Sequence, residues 1–262
     1  MIRSSVSLAL ALLMFTALGC SEAESNPTQS APTLPTLPPF SGTIFIDPDI
    51  ITPADPSTYA GLVPAGQDTR VMFDRRAAWI TTDPFLFDAT YDDGLTIEVQ
   101  VNPEFGSSAA SQVVAEFYAE VIGRLPTALR IEVETVWIHK GIQPFGGGNN
   151  NLLIHVGQGD SYIAGGILEE TLMHESVHTS LDAAHATAAR WMAAQDADPA
   201  FISTYARDFP FREDVAESFV PYFAAEYRSD RISESLLATI LETMPNRIAY
   251  FSGLGLDMFP IN

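Results

Sequence analysis

Two histidines four residues apart, with a glutamate directly after the first, constrain this chain more than any other feature: His174-Glu175-Ser176-Val177-His178. On an α-helix, positions i and i+4 lie one above the other, so both imidazoles can reach a single metal ion. Glu175 then sits on the flank of the pair, where a carboxylate could take a proton from a metal-bound water. The sequence before the motif supplies the helix this needs. Ile167-Leu168-Glu169-Glu170-Thr171-Leu172-Met173 consists of helix formers after a flexible Gly165-Gly166, and Ile167, Leu168, Thr171, Leu172, Val177 and Leu181 recur at three- and four-residue spacing. The bland alternative is an ordinary amphipathic helix carrying two hydrogen-bonded histidines.

The mechanical reading of H-E-x-x-H is a zinc-dependent peptidase, but a catalytic zinc takes three protein ligands and keeps a fourth position for water. A third donor is offered downstream in Phe211-Arg212-Glu213-Asp214-Val215-Ala216-Glu217-Ser218-Phe219, where Glu213 and Glu217 are again i and i+4. Carboxylates beside that much apolar surface need partners. Ligation by one and a hydrogen bond from a ligating imidazole to the other would satisfy both. Two alternatives stand beside Glu213. Asp182, a turn beyond His178, could ligate the metal or hydrogen-bond His178; His185 lies eleven residues after His174. The metzincin pattern H-E-x-x-H-x-x-G-x-x-H wants that histidine one residue earlier, and Leu181 stands where it wants glycine.

H-E-x-x-H followed by Glu-x-x-x-Glu on a second helix resembles the gluzincin zinc metallopeptidases over residues 165 to 220. The resemblance implies His174, His178 and Glu213 as ligands of one Zn²⁺ ion, Glu175 as general base, and Glu217 as the acid that orients a histidine, with Glu in place of the more familiar Asp. It also implies a donor for the oxyanion of the tetrahedral intermediate. Tyr205, eight residues before Glu213, is the nearest suitable side chain; Arg207 and Arg212 are alternatives, and a packed aromatic is the plain reading of Tyr205.

The N-terminus addresses this chemistry to a membrane. Met1-Ile2-Arg3 and the apolar run Val6 to Leu18, ending in Ala17-Leu18-Gly19-Cys20, resemble a bacterial lipoprotein signal. Residues 1–19 would be removed and Cys20, the only cysteine, lipidated, which predicts an exported, outer-membrane or cell-surface protein. Residues 20–39, rich in Ser, Pro and Thr, then form an extended tether. No later run reaches transmembrane length.

Residues 40–262 have the length of one catalytic domain, with a β-rich part (40–105) and a motif-bearing part (106–262). Strands are expected at Thr43–Ile46, Arg70–Asp74, Phe85–Tyr91 and Leu95–Val101, with Tyr91-Asp92-Asp93-Gly94 turning between the last two. A helix is expected over Ser107–Arg124, a strand over Leu129–Ile138, and a strand at Leu152–Val156, the expected cleft-side edge of the sheet; Gly146–Asn151 is expected as a mobile rim loop. Further helices are expected over Ala186–Gln195, Arg212–Tyr227, kinked or ended at Pro221, and Ser233–Thr243. The fold class is therefore α+β, zincin-like: a mixed or antiparallel N-terminal sheet followed by a helical part carrying the metal.

Acidic residues outnumber basic ones 33 to 13, a net charge of −20 that repels phosphate backbones and argues against nucleic acid as a partner. The expected partners are a peptide or protein substrate and, through Cys20, a membrane. A surface binding or adhesion lipoprotein that keeps the fold without turnover is the competing reading. Substrate preference and oligomeric state are not written in these residues.

Overall fold

Alternation of apolar residues along residues 85–101 produces the centre of a six-stranded sheet in the computed structural model, which describes residues 37–261. The expected signal peptide, Cys20 and all but the last three tether residues lie outside the described residues. Strands β1 (Tyr59–Gln67), β4 (Phe85–Tyr91) and β5 (Thr96–Val101) run antiparallel, and the Tyr91–Gly94 turn has glycine at φ +85°, in the left-handed region that glycine tolerates best. β6 (Thr135–His139) and β8 (Asn151–His155) then add in parallel, and β7 (Gly146–Gly148) closes the edge antiparallel to β8. A separate hairpin is made by β2 (Arg70–Asp74) and β3 (Ala78–Thr82). The sheet is thus mixed and the fold α/β in composition, compatible with α+β. The strands extend well past residue 105, so the β-rich part is not confined to the first third of the domain.

One face of the sheet is buried under helices. Val99, Val136, Ile138, Leu152 and Ile154 are 0–1% exposed there, beneath α1 (Ser108–Ile122) and α4 (Leu168–Ser180). Ser107 caps α1 by accepting the Ala110 N–H. Between these helices lie the single turn α2 (Thr127–Arg130) and α3 (Val156–Gly165), which ends at Gly166 in the left-handed region. After α4 come α5 (Asp182–His185), α6 (Ala189–Ala197), α7 (Thr204–Asp208), α8 (Asp214–Tyr227), α9 (Glu234–Thr243) and α10 (Pro245–Ser252). Helices α4 and α8 pack against each other, Leu172, Met173 and Val177 sharing one core with Val215, Phe219 and Phe223. Burying side chains of this kind is worth about 1.5–3 kcal/mol each, which fixes the separation of the two helices that carry the site.

Four expectations need correction. Thr43–Ile46 is no strand: Ile44 and Asp49 have φ of 53° and 63°, and the segment is held irregularly across α4, with the Ile50 and Ile51 N–H groups donating to Glu170 Oε1 at 2.8 and 3.1 Å. Leu129 belongs to α2, not to a strand, because Pro126 precedes a turn whose Arg130 is buried and paired with Asp93; pairing begins only at Thr135. β8 is internal, and the glycine run expected as a rim loop is itself the edge strand. Helix α8 continues through Pro221 to Tyr227, the proline ring being buried beside Ile44, Phe45 and Ile46.

Candidate metal centre

Helix α4 brings His174 and His178 onto one face and stacks their rings edge to face, with Nε2 atoms 3.1 Å apart. Glu213, the residue before the first turn of α8, delivers Oε2 to within 3.3 Å of His178 Nε2 and 3.8 Å of His174 Nε2. Among the described residues this is the group of donors that converges closely enough to hold a metal. Ligands of a tetrahedral zinc at bond lengths near 2.1 Å stand about 3.4 Å apart, so the three atoms fit such an ion. Glu213 is 5% exposed, and its Oε2 has no hydrogen-bond partner among the described residues. A buried carboxylate oxygen is rarely left alone, and a cation between it and the two imidazoles would satisfy it.

The other oxygen of Glu213 is held. Tyr205 Oη donates to Oε1 at 2.9 Å and Arg212 Nε at 2.8 Å, while an Arg212 terminal nitrogen also donates to the Tyr205 hydroxyl at 3.3 Å. Burial opposes ionisation of Glu213, yet the imidazoles of His174 and His178 and the Tyr205 hydroxyl hold its carboxyl far below the usual range. Tyr205, expected as an oxyanion donor, donates its proton to Glu213 in this arrangement. Arg212 lines the cleft with it, whereas Arg207 pairs with Asp208.

His178 is oriented from behind. His178 Nδ1 lies 2.7 Å from Asp182 Oδ2, so a neutral His178 donating there carries its lone pair on Nε2, toward Glu213. Burial works against a charge on His178, but Asp182 and Glu213 push its pKa up to about 10, and a metal bound at Nε2 would have to displace that proton. Asp182 thus holds His178 from the far side of the ring. Glu217 Oε1 faces His174 Nδ1 at 3.9 Å, too long for a hydrogen bond, while its Oε2 accepts a hydrogen bond from Ser203 Oγ. Burial raises the Glu217 carboxyl above its ordinary value. His185 turns away and meets the Tyr250 hydroxyl at 2.6 Å.

A cleft of about 600 Å³ opens over these groups, bounded by Thr43, Ile44, Arg75, Tyr162, Arg212 and the β7 strand. Glu175 lines it, half-buried, and its charge acts on both His178 and Tyr162. Ser203, Arg75, Tyr162 and the role of Gly146–Gly148 carried no chemical signature in the sequence; only the helix-cap position of Ser203 before Thr204-Tyr205-Ala206 was available to find it. Comparison with protein-family profiles, with curated proteins and with solved structures gives no match to this chain.

Proposed function

We propose that this chain is a zinc-dependent peptidase of the gluzincin type, with a zincin-like fold, exported and lipid-anchored through Cys20. The observation that carries the proposal is the convergence of His174 Nε2, His178 Nε2 and the unpartnered Glu213 Oε2. Two imidazoles and one carboxylate form a three-ligand set that suits zinc and leaves a position free for water. Zinc, when bound, supplies a Lewis acid that acidifies water and polarises a carbonyl.

The chain's own residues do the rest. Glu175, on the cleft side of the motif, takes a proton from the attacking water and returns it to the leaving amine. Asp182 fixes the ring of His178 with its Nε2 toward Glu213, Glu217 places a carboxylate 3.9 Å from His174 Nδ1, and Tyr205 with Arg212 fixes Oε1 of Glu213, which leaves Oε2 for a metal that the site would hold. Arg212, half-free at the cleft mouth, is the cation best placed to answer developing negative charge. A peptide in extended form adds its backbone to the outer side of β7.

Elemental analysis of the purified chain, followed by digestion of an unbiased peptide library by wild type and by Glu175→Ala, tests this. One zinc per chain in both proteins and cleavage by wild type alone is expected. A chain that holds no metal sinks the proposal, and one that holds zinc but cuts nothing is a binding module.

A further inference from the structure

The three glycines of β7 separate two cavities. On the helix side lies the metal cleft; on the hairpin side lies a groove of about 230 Å³ lined by Phe73, Trp79, Trp137 and Leu153, and both cavities share Arg75 and Gly146–Gly148 as a common wall. Register explains the division. Gly147 pairs with Leu152, on the buried face, and its missing side chain would point at Glu175. Gly146 pairs with Leu153, which pairs with Trp137, so that row belongs to the hairpin face. Successive residues of a strand point to opposite faces, so Gly147 is turned to the helix side, where Glu175 backbone leaves no room for a side chain, and Gly146 and Gly148 to the hairpin side, where Gly148 meets nothing within 4 Å.

We infer that the hairpin-side groove is a specificity subsite for a large apolar, preferably aromatic, side chain of a peptide extended along β7. This rests on the peptidase reading for its choice of ligand. A strand added to β7 sends alternate side chains to the two faces, one set toward the metal cleft and the other into the groove. The groove is built of aromatic rings meeting edge to face, Phe73 on Trp79 at 5.3 Å and Trp79 on Trp137 at 5.8 Å. Trp79 is nevertheless 62% exposed, leaving its ring available to a guest. The groove is also held in shape. The Arg75 guanidinium donates to the Pro144 and Phe145 carbonyls at 2.9 and 2.7 Å, tying the hairpin to the residues that lead into β7.

The test uses the full chain loaded with zinc and carrying Glu175→Ala, so that bound peptide is not consumed. Calorimetry measures its affinity for alanine-based hexapeptides in which a single phenylalanine is moved through every position. Phenylalanine at one position, or at positions two apart, is expected to bind about tenfold more tightly than alanine there. Trp79→Ala in the same background is expected to erase that preference, Trp79→Phe to restore it, and Phe117→Ala, on an exposed site of α1, to leave it intact. Equal affinity at all positions, a preference that survives Trp79→Ala, or no binding of any hexapeptide overturns the subsite. Cleavage of the same peptides by wild type reports separately on the peptidase reading: selective binding without cleavage overturns that reading and upholds the subsite, and cleavage indifferent to phenylalanine does the reverse.

Discussion

Gly147 lies so close to Glu175 that a β-carbon on it would come within 1.8 Å of the Glu175 carbonyl oxygen. The edge strand of the sheet and the helix bearing the histidines therefore touch backbone to backbone at the residue expected to move the proton. Gly148 reinforces the contact, its N–H donating to Thr179 Oγ1 at 2.8 Å, and the single proton of that hydroxyl is shared between the Asn151 and Glu175 carbonyls at 3.0 and 3.1 Å.

Gly147→Ala should disturb this junction. The added methyl meets main chain, which cannot swing aside like a flexible side chain, so β7 must lift from α4. Overpacking of this kind costs about 1–3 kcal/mol or more, a fall of several degrees in Tm for a domain of this size. Calorimetric unfolding of Gly147→Ala beside Gly148→Ala, whose β-carbon would meet nothing within 4 Å but whose φ of +120° is itself unfavourable for alanine, checks it. A negligible loss in Gly147→Ala would mean that β7 yields to the methyl and that the contact with Glu175 does not require glycine.

What the sequence made legible was whatever repeats at the period of its own element. The four-residue spacings His174/His178 and Glu213/Glu217 put both pairs on helices facing one another, and the alternation of Phe85–Tyr91 and Thr96–Val101 gave a hairpin. What stayed hidden depends on partners distant in sequence. Gly146–Gly148 has the composition of a loop and becomes a strand because β8 offers a ladder and α4 leaves no room for a side chain at Gly147. Thr43–Ile46 reads as a strand, but Glu170, some 120 residues on, holds the chain just after it over α4 by accepting the Ile50 and Ile51 N–H groups. The hydroxyl of Tyr205 looked free for an oxyanion because nothing local shows that it is bound to Glu213.

Metal retention should follow the geometry of Glu213. On the proposed ligand set, Glu213→Ala is expected to weaken zinc binding by more than 100-fold, whereas Asp182→Asn, which alters only the support of His178, is expected to cost about 10–100-fold. Competition against a chromogenic chelator measures both. Wild-type affinity in Glu213→Ala would remove this carboxylate from the ligand set.

The start of α8 is pinned by a buried ion pair, and breaking it should unseat Glu213 indirectly. Arg247 donates to Asp214 at 2.9 Å and to Asp198 at 2.9 Å, with all three side chains fully buried. Arg247→Leu leaves both carboxylates uncompensated, at an expected cost of about 3–5 kcal/mol. Urea unfolding measures the loss. A cost below about 1 kcal/mol would show that water reaches Asp214 and that the pair is not what anchors the helix.

Glu170, one turn before His174, should make stability depend on pH. Its side chain is fully buried, and burial pushes its carboxyl up to about 8 from an ordinary 4.5, against the lowering effect of the backbone N–H groups that Oε1 accepts. Below pH 4.5 both folded and unfolded chains carry the proton, and the group contributes no difference. Between 4.5 and 8 the unfolded chain gives up its proton while the folded one keeps it, so stability falls as pH rises; above 8 the loss is complete, on the order of 4 kcal/mol. Glu170→Gln keeps the acceptor oxygen for Ile50 and Ile51 but cannot ionise. Its stability relative to wild type should be near zero at pH 4.5 and grow to a few kcal/mol at pH 8.5, measured by urea titration at both. A gap that stays constant across that range would mean that Glu170 is already ionised in the folded chain at low pH and is stabilised by those two N–H groups.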